Sequence, residues 1–297
     1  MPATVRQQFF SSDFLAQLER LSLVSRRPFR GRVKGERRSP RKGQSVEFSD
    51  YRAYGVGDDL RYVDWNVYAR LRVPYVKEFE PEEDLEVALF LDASPSMAFG
   101  SPQKLGYARE AAAALAYVAL RRLESVRVVP VGSSATPRSF HGSADVARAF
   151  RFLAGIAAEP DAGPIESRTF RAAASGSRAR GLAVVLSDFY DERLAEQAIL
   201  FLSHRRYRVF AIHVVAPEEI APRLEGRVRL RDSETGLEMP LDSSAALLRS
   251  YRAAFARHCD AIERVCRRRE AGYARLVTSD PFETALVRLV KTRHLLR

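Results

Sequence analysis

Oxygen-bearing side chains follow two apolar segments of the chain, where a metal ion could be held. A mostly apolar segment ends at Asp92, with Ser94 and Ser96 close behind it, and a second, wholly apolar segment is followed by Ser187 and Asp188. Because parallel strands place ligands outside their carboxyl ends, we expect Asp92 and Asp188 to face one crevice. Carboxylates and hydroxyls are hard donors that suit Mg²⁺, with Mn²⁺ and Ca²⁺ as alternatives. The competing interpretation is a cluster that only caps a helix.

The elements that would position these side chains alternate between strand and helix. Apolar runs predict strands at 85–91, 126–131, 182–186, 208–215 and 274–278. Helical spacing predicts helices at 104–123, 144–157, 193–204, 244–270 and from 281 onward. Such alternation predicts an α/β fold with a doubly wound, mostly parallel sheet of Rossmann type and helices on both faces. A turn at 231–236 predicts a hairpin at the sheet edge.

The segment ahead of the first buried strand has a different character. A short amphipathic helix is predicted at 12–25, and strand-like alternation follows at 45–54 and 73–79. This part carries too little apolar surface for a core of its own. We therefore expect residues 1–82 to be a β-containing extension packed on an α/β domain formed by residues 83–297.

Composition restricts the class of protein. Hydrophobic residues make up 46% of the 297, enough for a buried core. No apolar run reaches the roughly 18 residues of a membrane span, and the N-terminal residues lack the apolar core of a signal peptide. We expect a soluble cytoplasmic protein. Cys259 and Cys266, about 10 Å apart along one helix, are expected to be buried free thiols.

The net charge of +11 raises the alternative of nucleic-acid binding. Residues 26–42 contain nine basic residues and one acid. Phe29 is the one aromatic residue among them, so the stacking surface of a single-strand binder is missing. We therefore do not expect a nucleic-acid partner. The basic segment is the main argument for the alternative that there is one.

The Asp92-x-Ser94-x-Ser96 loop resembles the metal-ion-dependent adhesion site (MIDAS) of the von Willebrand factor A family. That site combines such a loop with a threonine from a second loop and an aspartate from a third. The resemblance implies that Asp188 is the aspartate and Thr169 the threonine, with Ser167 as an alternative to Thr169. It also implies that an acidic residue of a protein partner completes the shell of the ion.

A second resemblance covers nearly the whole chain. The segment 52–65, Arg-Ala-Tyr-Gly-Val-Gly-Asp-Asp-Leu-Arg-Tyr-Val-Asp-Trp, is similar to the signature of the family called domain of unknown function 58. Proteins of that family carry a von Willebrand A-like domain and are associated with MoxR-type AAA+ ATPases. The resemblance implies an adaptor that works with such an ATPase in remodelling or maturation of other proteins.

Charged and aromatic residues are interleaved within this signature. Because buried charges must be paired, they suggest an arginine–carboxylate network held under aromatic rings. We expect this set to clamp the N-terminal segment to the sheet, with a partner surface and catalysis as alternatives. The set comprises Arg52, Tyr54, Asp58, Asp59, Arg61, Asp64 and Trp65.

An enzyme is the remaining alternative. A strand that ends in Asp92 is similar to the nucleophile position of haloacid-dehalogenase-type phosphotransferases, in which a second carboxylate two residues later acts as acid and base. Ser94 occupies that second position, so a phosphatase-like, metal-dependent enzyme would lack part of its machinery. We therefore expect a non-catalytic protein-interaction module.

Overall fold

The computed structural model describes residues 9–10, 14–16, 18, 46–81, 86–122, 125–159 and 181–291. The chain divides into two compact units, residues 30–84 and residues 1–29 with 85–297. Phe10, Phe14 and Leu18 are buried in the core of the larger unit. These three residues therefore belong with the α/β unit, whereas the sequence grouped them in an extension with residues up to 82. The predicted packing of that extension on the α/β domain stays a prediction.

The smaller unit contains an antiparallel two-stranded sheet. Strand β1 (Val46–Ala53) pairs with β2 (Tyr75–Pro81), and Ala53 lies opposite Tyr75. Between them come a 3-10 turn at Leu60–Tyr62 and helix α1 (Trp65–Leu71). The two strands match the alternation seen in the sequence.

The larger unit is organised around a six-stranded sheet in the order β10-β7-β6-β3-β4-β5. Its strands are β3 (Glu86–Asp92), β4 (Ser125–Val131), β5 (Arg138–His141), β6 (Gly181–Ser187), β7 (Tyr207–Val215) and β10 (Gly272–Val277). All neighbouring pairs are parallel except β4 with β5. The predicted α/β fold with a mostly parallel sheet is confirmed.

Helices cover both faces of this sheet. They are α2 (Lys104–Arg121), α3 (Val146–Ala154), α4 (Glu192–His204), α5 (Pro217–Ile220), α6 (Ala245–Arg268) and α7 (Phe282–Lys291). One core contains α2, α3 and residues of α7, and the other contains α4 and α6. Along β3, Leu89 and Leu91 enter the first core while Ala88 and Phe90 enter the second, as the two-residue period of a strand requires.

A separate hairpin, β8 (Gly226–Arg231) and β9 (Glu238–Ser243), forms a two-stranded antiparallel sheet of its own. The sequence predicted this hairpin but placed it at the edge of the main sheet. Its turn ends at Gly236, whose φ of 70° lies in the left-handed region that favours glycine.

Two further observations concern the cysteines and the possibility of a membrane-spanning helix. Cys259 and Cys266 are buried and free, as predicted. Within the described part of the chain, no helix combines the length and apolar character needed to cross a bilayer.

Candidate functional site

The predicted site lies where three neighbouring parallel strands end. Strand β6 is paired with both β3 and β7, so the loops that follow these three strands leave the same edge of the sheet. Asp92 ends β3, and Asp188 directly follows β6. The sheet order therefore brings together two carboxylates that are far apart in sequence, at the edge where open α/β sheets bind ligands.

Asp92 is held through both of its carboxylate oxygens. Its Oδ1 accepts a hydrogen bond from the backbone N–H of Ser94 at 2.9 Å, and its Oδ2 accepts one from the Ser187 hydroxyl at 2.5 Å. The hydroxyls of Ser94 and Ser96 lie 3.0 Å apart. All these side chains are buried, so the loop presents a compact set of oxygen donors.

The pKa of Asp92 is shifted by burial and by the groups around it. Burial, and then the negative charge of Asp188, raise the pKa of Asp92 to about 6, although hydrogen bonds from Ser187 and Ser94 act in the opposite direction. A carboxylate whose charged form is disfavoured in this way gains from a nearby cation. The pair of aspartates therefore suits a divalent ion.

Lys104, the first residue of α2, places a positive charge inside the crevice. Its Nζ donates to Asp188 Oδ2 at 2.7 Å and to Glu219 Oε1 at 2.6 Å, and the side chain is only 1% exposed. Burial alone would lower the pKa of Lys104, but the charges of Asp188 and Glu219 and the hydrogen bonds to both outweigh it and raise that pKa. The lysine is therefore a permanent cation beside Asp188.

Glu219 ties this lysine to the loop after β7. Its other carboxylate oxygen, Oε2, accepts a hydrogen bond from the backbone N–H of Ala216 at 2.8 Å. Gly100, in the loop after β3, lies so close to that segment that an added Cβ would be 2.7 Å from the Cβ of Ala216. The three loops at this edge are thus fixed to one another.

His213 lies on β7 behind the crevice. Burial lowers its pKa to about 3, although the nearby charge of Asp188 acts to raise it. Its Nδ1 lies 3.0 Å from the hydroxyl of Tyr273. The ring is therefore neutral at physiological pH and is part of the packed support of the site.

A cleft of about 240 Å³ opens onto these residues, and it includes Glu234 from the β8–β9 turn. Burial, and then the charge of Asp188, raise the pKa of Glu234, while the Ser96 side chain acts to lower it. Sequence reasoning assigned Glu234 to a turn and did not connect it with the site. Lys104 and Glu219 were also missed, and Ser187, noted only as the residue before Asp188, was given no role.

The structure thus brings together four of the five residues predicted to bind metal, Asp92, Ser94, Ser96 and Asp188. Thr169 and its alternative Ser167 lie outside the described residues. No group of three His, Cys, Asp or Glu side chains placed to hold a metal occurs in the described ranges. Two carboxylates with two hydroxyls are nevertheless a donor set that fits a hard divalent ion, since Lys104 engages only Oδ2 of Asp188.

In the smaller unit, the charged residues of the signature form local pairs. Arg52 binds Asp58 at 2.9 Å, Arg61 binds Asp59 at 2.6 Å, and Asp64 accepts from the backbone N–H groups of Asn66 and Val67 at the start of α1. The hydrogen bonds from Arg52 and Arg61 lower the pKa values of Asp58 and Asp59.

The prediction that aromatic rings bury these charges is wrong for Tyr62 and Trp65. These residues are 47% and 59% exposed, and the ion pairs themselves are partly or largely exposed. Tyr54 is half-buried. Whether the set clamps the N-terminal segment to the sheet stays a prediction.

The fold and the crevice define an α/β protein with an acidic, hydroxyl-rich site at the carboxyl edge of a mostly parallel sheet. The chain belongs to the family described as "Protein of unknown function DUF58", whose model matches residues 50–262. That range includes the site loops and the signature from Arg52 to Trp65. The predicted membership of this family is confirmed.

Proteins from Mycobacterium bovis and from Mycobacterium tuberculosis strains CDC 1551 and H37Rv, each described as uncharacterized, are similar to this chain. Each is 28% identical over 301 residues, covering 98% of this chain and 93% of the relative.

Two solved structures also resemble the chain. A conserved hypothetical protein BatB from Bacteroides thetaiotaomicron matches with 17% identity and a TM-score of 0.38. An aerotolerance-related membrane protein from Bacteroides fragilis matches with 19% identity and a TM-score of 0.41. Each match covers 69% of this chain and 98% of the other. At these TM-scores neither similarity bears on function.

Proposed function

We propose that this chain is a non-catalytic, metal-dependent protein-interaction module of the von Willebrand A type. Asp92, Ser94, Ser96 and Asp188 would hold a divalent ion, most suitably Mg²⁺, with Thr169 as the fifth ligand. The bound ion would supply a coordination position for an acidic side chain of a partner protein. The observation that carries this proposal is the convergence of the two aspartates and two serines at one edge of the sheet.

The chemistry of these donors supports binding rather than turnover. Both carboxylate oxygens of Asp92 accept hydrogen bonds, from Ser94 and Ser187, which fix its orientation. Asp188 is held by Lys104, and the residue two positions after Asp92 is a serine rather than a second acid. A buried, immobilised carboxylate is suited to holding an ion in place.

The surface around the crevice supports a protein partner. Each of the three site loops carries an exposed large apolar residue next to its polar ones. Phe99 follows the serine loop and is 48% exposed, Tyr190 follows Asp188 and is 75% exposed, and Ile220 follows Glu219 and is 39% exposed. Exposed aromatic residues beside a polar centre are typical of protein interfaces.

The kind of partner comes from the family resemblance. We propose that the chain acts with a MoxR-type AAA+ ATPase in remodelling or maturation of other proteins, and that it does so in the cytoplasm. In this scheme, the ion held by Asp92 and its neighbours binds the partner's acidic residue. The exposed side chains of Phe99, Tyr190 and Ile220 contribute apolar contact area.

Affinity capture tests this function. The full chain would be used as bait in native lysate with Mg²⁺ or with a chelator, alongside Asp92→Ala and the control Asp145→Ala. Asp145 is also an aspartate, but it lies before α3 and pairs with Arg148. We expect proteins, including an AAA+ ATPase, that the chelator and Asp92→Ala both remove and that Asp145→Ala retains. Capture that survives the chelator and Asp92→Ala would contradict the proposal.

A further inference from the structure

The tip of the β8–β9 hairpin is organised by one residue. Oδ1 of Asp232 accepts hydrogen bonds from the backbone N–H of Glu234 at 2.9 Å and from that of Thr235 at 2.7 Å. It also accepts one from the Thr235 hydroxyl at 2.9 Å, and the backbone N–H of Asp232 donates to Leu237 at 2.8 Å. The backbone at Glu234 is therefore held in a defined position.

This tip points one side chain toward the crevice. Glu234 lines the same cleft as Asp92, Ser94 and Asp188. It is half-buried, whereas its neighbours Ser233 and Thr235 are exposed. A carboxylate placed beside other carboxylates is unfavourable unless a donor or a cation compensates it.

Glu234 has a neighbour in the candidate metal loop. The Ser96 side chain acts to lower the pKa of the Glu234 carboxylate, against the effects of burial and of the Asp188 charge. Ser96 is one of the two hydroxyl residues assigned to the ion, so Glu234, which lines the same cleft, borders the candidate site. This is the side from which a partner's acidic group would have to enter.

We propose that Glu234 is the chain's own acidic ligand at this site, occupying the position that a partner's carboxylate takes and giving way when the partner binds. This inference rests on the proposed metal site and adds a form of regulation to it. The Glu234 side chain would have to move to reach an ion held by Asp92 and Asp188, because no three carboxylates of the described residues are already placed to hold a metal.

The hairpin is suited to such an exchange. Most residues of β8 and β9 are exposed, so lifting the tip uncovers little apolar surface. The Arg229–Glu238 pair that links the two strands is itself exposed, at 3.3 Å. Displacement of the tip therefore leaves the core of the larger unit intact.

The test uses Mn²⁺ as the probe on the full chain, compared with Glu234→Gln, Glu238→Gln and Asp92→Ala. Glu238 is the matched control because it is an exposed glutamate on the same hairpin. We expect Glu234→Gln to weaken Mn²⁺ binding by about tenfold and Glu238→Gln to leave it unchanged, because each carboxylate added to a site tightens it. We also expect Mn²⁺ to slow hydrogen exchange at residues 232–237 in the unaltered chain but not in Glu234→Gln.

The outcomes separate this inference from the metal site itself. If Asp92→Ala abolishes Mn²⁺ binding while Glu234→Gln binds as the unaltered chain does, the metal site stands and the internal ligand is refuted. Tighter Mn²⁺ binding by Glu234→Gln would also overturn the internal ligand. So would a rate of hydrogen exchange at residues 232–237 that Mn²⁺ leaves unchanged in the unaltered chain. If the unaltered chain binds no Mn²⁺, the metal site and the internal ligand both fall.

Discussion

The side-chain nitrogen of Lys104 lies 2.7 Å from Oδ2 of Asp188, although 84 residues separate the two in sequence. Both side chains are almost fully buried. The lysine compensates one aspartate of the crevice from within, while the donors that Asp92 receives from the described residues, Ser94 and Ser187, are neutral. Among the described residues, the site therefore has one carboxylate with an internal cation and one without.

Replacing this lysine should destabilise the metal-free protein. Lys104→Met would leave Asp188 buried without its cation and Glu219 without its partner, and removal of one member of a buried pair costs about 3–5 kcal/mol. Thermal unfolding in the presence of a chelator measures the loss. Because Asp188 then has no competing cation, Mg²⁺ should recover more stability in this variant than in the unaltered chain.

An exposed ion pair provides the control for that prediction. Arg267 binds Glu263 one turn earlier on α6, and the arginine side chain is 76% exposed. Such pairs contribute about 0.3–0.5 kcal/mol, so Arg267→Met should change the free energy of unfolding very little. If Lys104→Met lowers the free energy of unfolding as little as Arg267→Met does, the Lys104 ammonium does not compensate the charge of Asp188.

His213 should make the protein sensitive to acid. Its folded pKa of about 3 lies below the usual 6.5, so its contribution to stability is complete above pH 6.5 and is lost as the pH falls toward 3. Linkage gives a loss of about 2 kcal/mol between pH 7 and pH 5. Denaturant unfolding at the two pH values should show this loss, and His213→Asn should reduce it.

The exposed His141 at the end of β5 supplies the comparison for this pH dependence. His141→Asn should retain the full loss of stability on acidification, because it leaves the buried His213 ring in place. An unchanged pH dependence in His213→Asn would show that another group is responsible.

Two glycines near the site should respond oppositely to alanine. Gly100 has a φ of 94°, and its Cβ would lie 2.7 Å from that of Ala216, so Gly100→Ala should destabilise by about 1–3 kcal/mol. Gly106 lies within α2, and its Cβ would meet nothing within 4 Å. Gly106→Ala should stabilise by up to about 1 kcal/mol because alanine is the better helix former. Chemical denaturation of both variants tests the pair, and equal effects would contradict the close approach at Gly100.

Much of the sheet could be predicted because its central strands are buried on both faces. The segments that end before Asp92 and Asp188 are mostly or wholly apolar. In a parallel sheet, the position of such a segment also fixes the edge at which its last residue lies. Strand β5 was missed because only Phe140 among its four residues is buried, which leaves no alternation to detect.

The rest of the site depends on contacts between distant segments. Lys104 and Glu219 are 115 residues apart, and nothing in the composition of either segment marks them as partners. Glu234 could be assigned to a turn from Asp232 and Gly236, but the direction of a hairpin tip is set by tertiary packing. Trp65 shows the opposite error, since the interleaving of charged and aromatic residues suggested a buried network and the residue is 59% exposed.

Direct measurement of divalent-ion binding tests the central claim. Electron paramagnetic resonance would follow free Mn²⁺ as it is titrated with the full chain, with Asp92→Asn and with Asp191→Asn. Asp191 borders the same cleft but only caps α4, so its variant is the matched control. We predict that the unaltered chain and Asp191→Asn bind one Mn²⁺ alike and that Asp92→Asn binds it at least about tenfold more weakly. Equal binding by Asp92→Asn, or no binding by the unaltered chain, would contradict a metal site at this edge of the sheet.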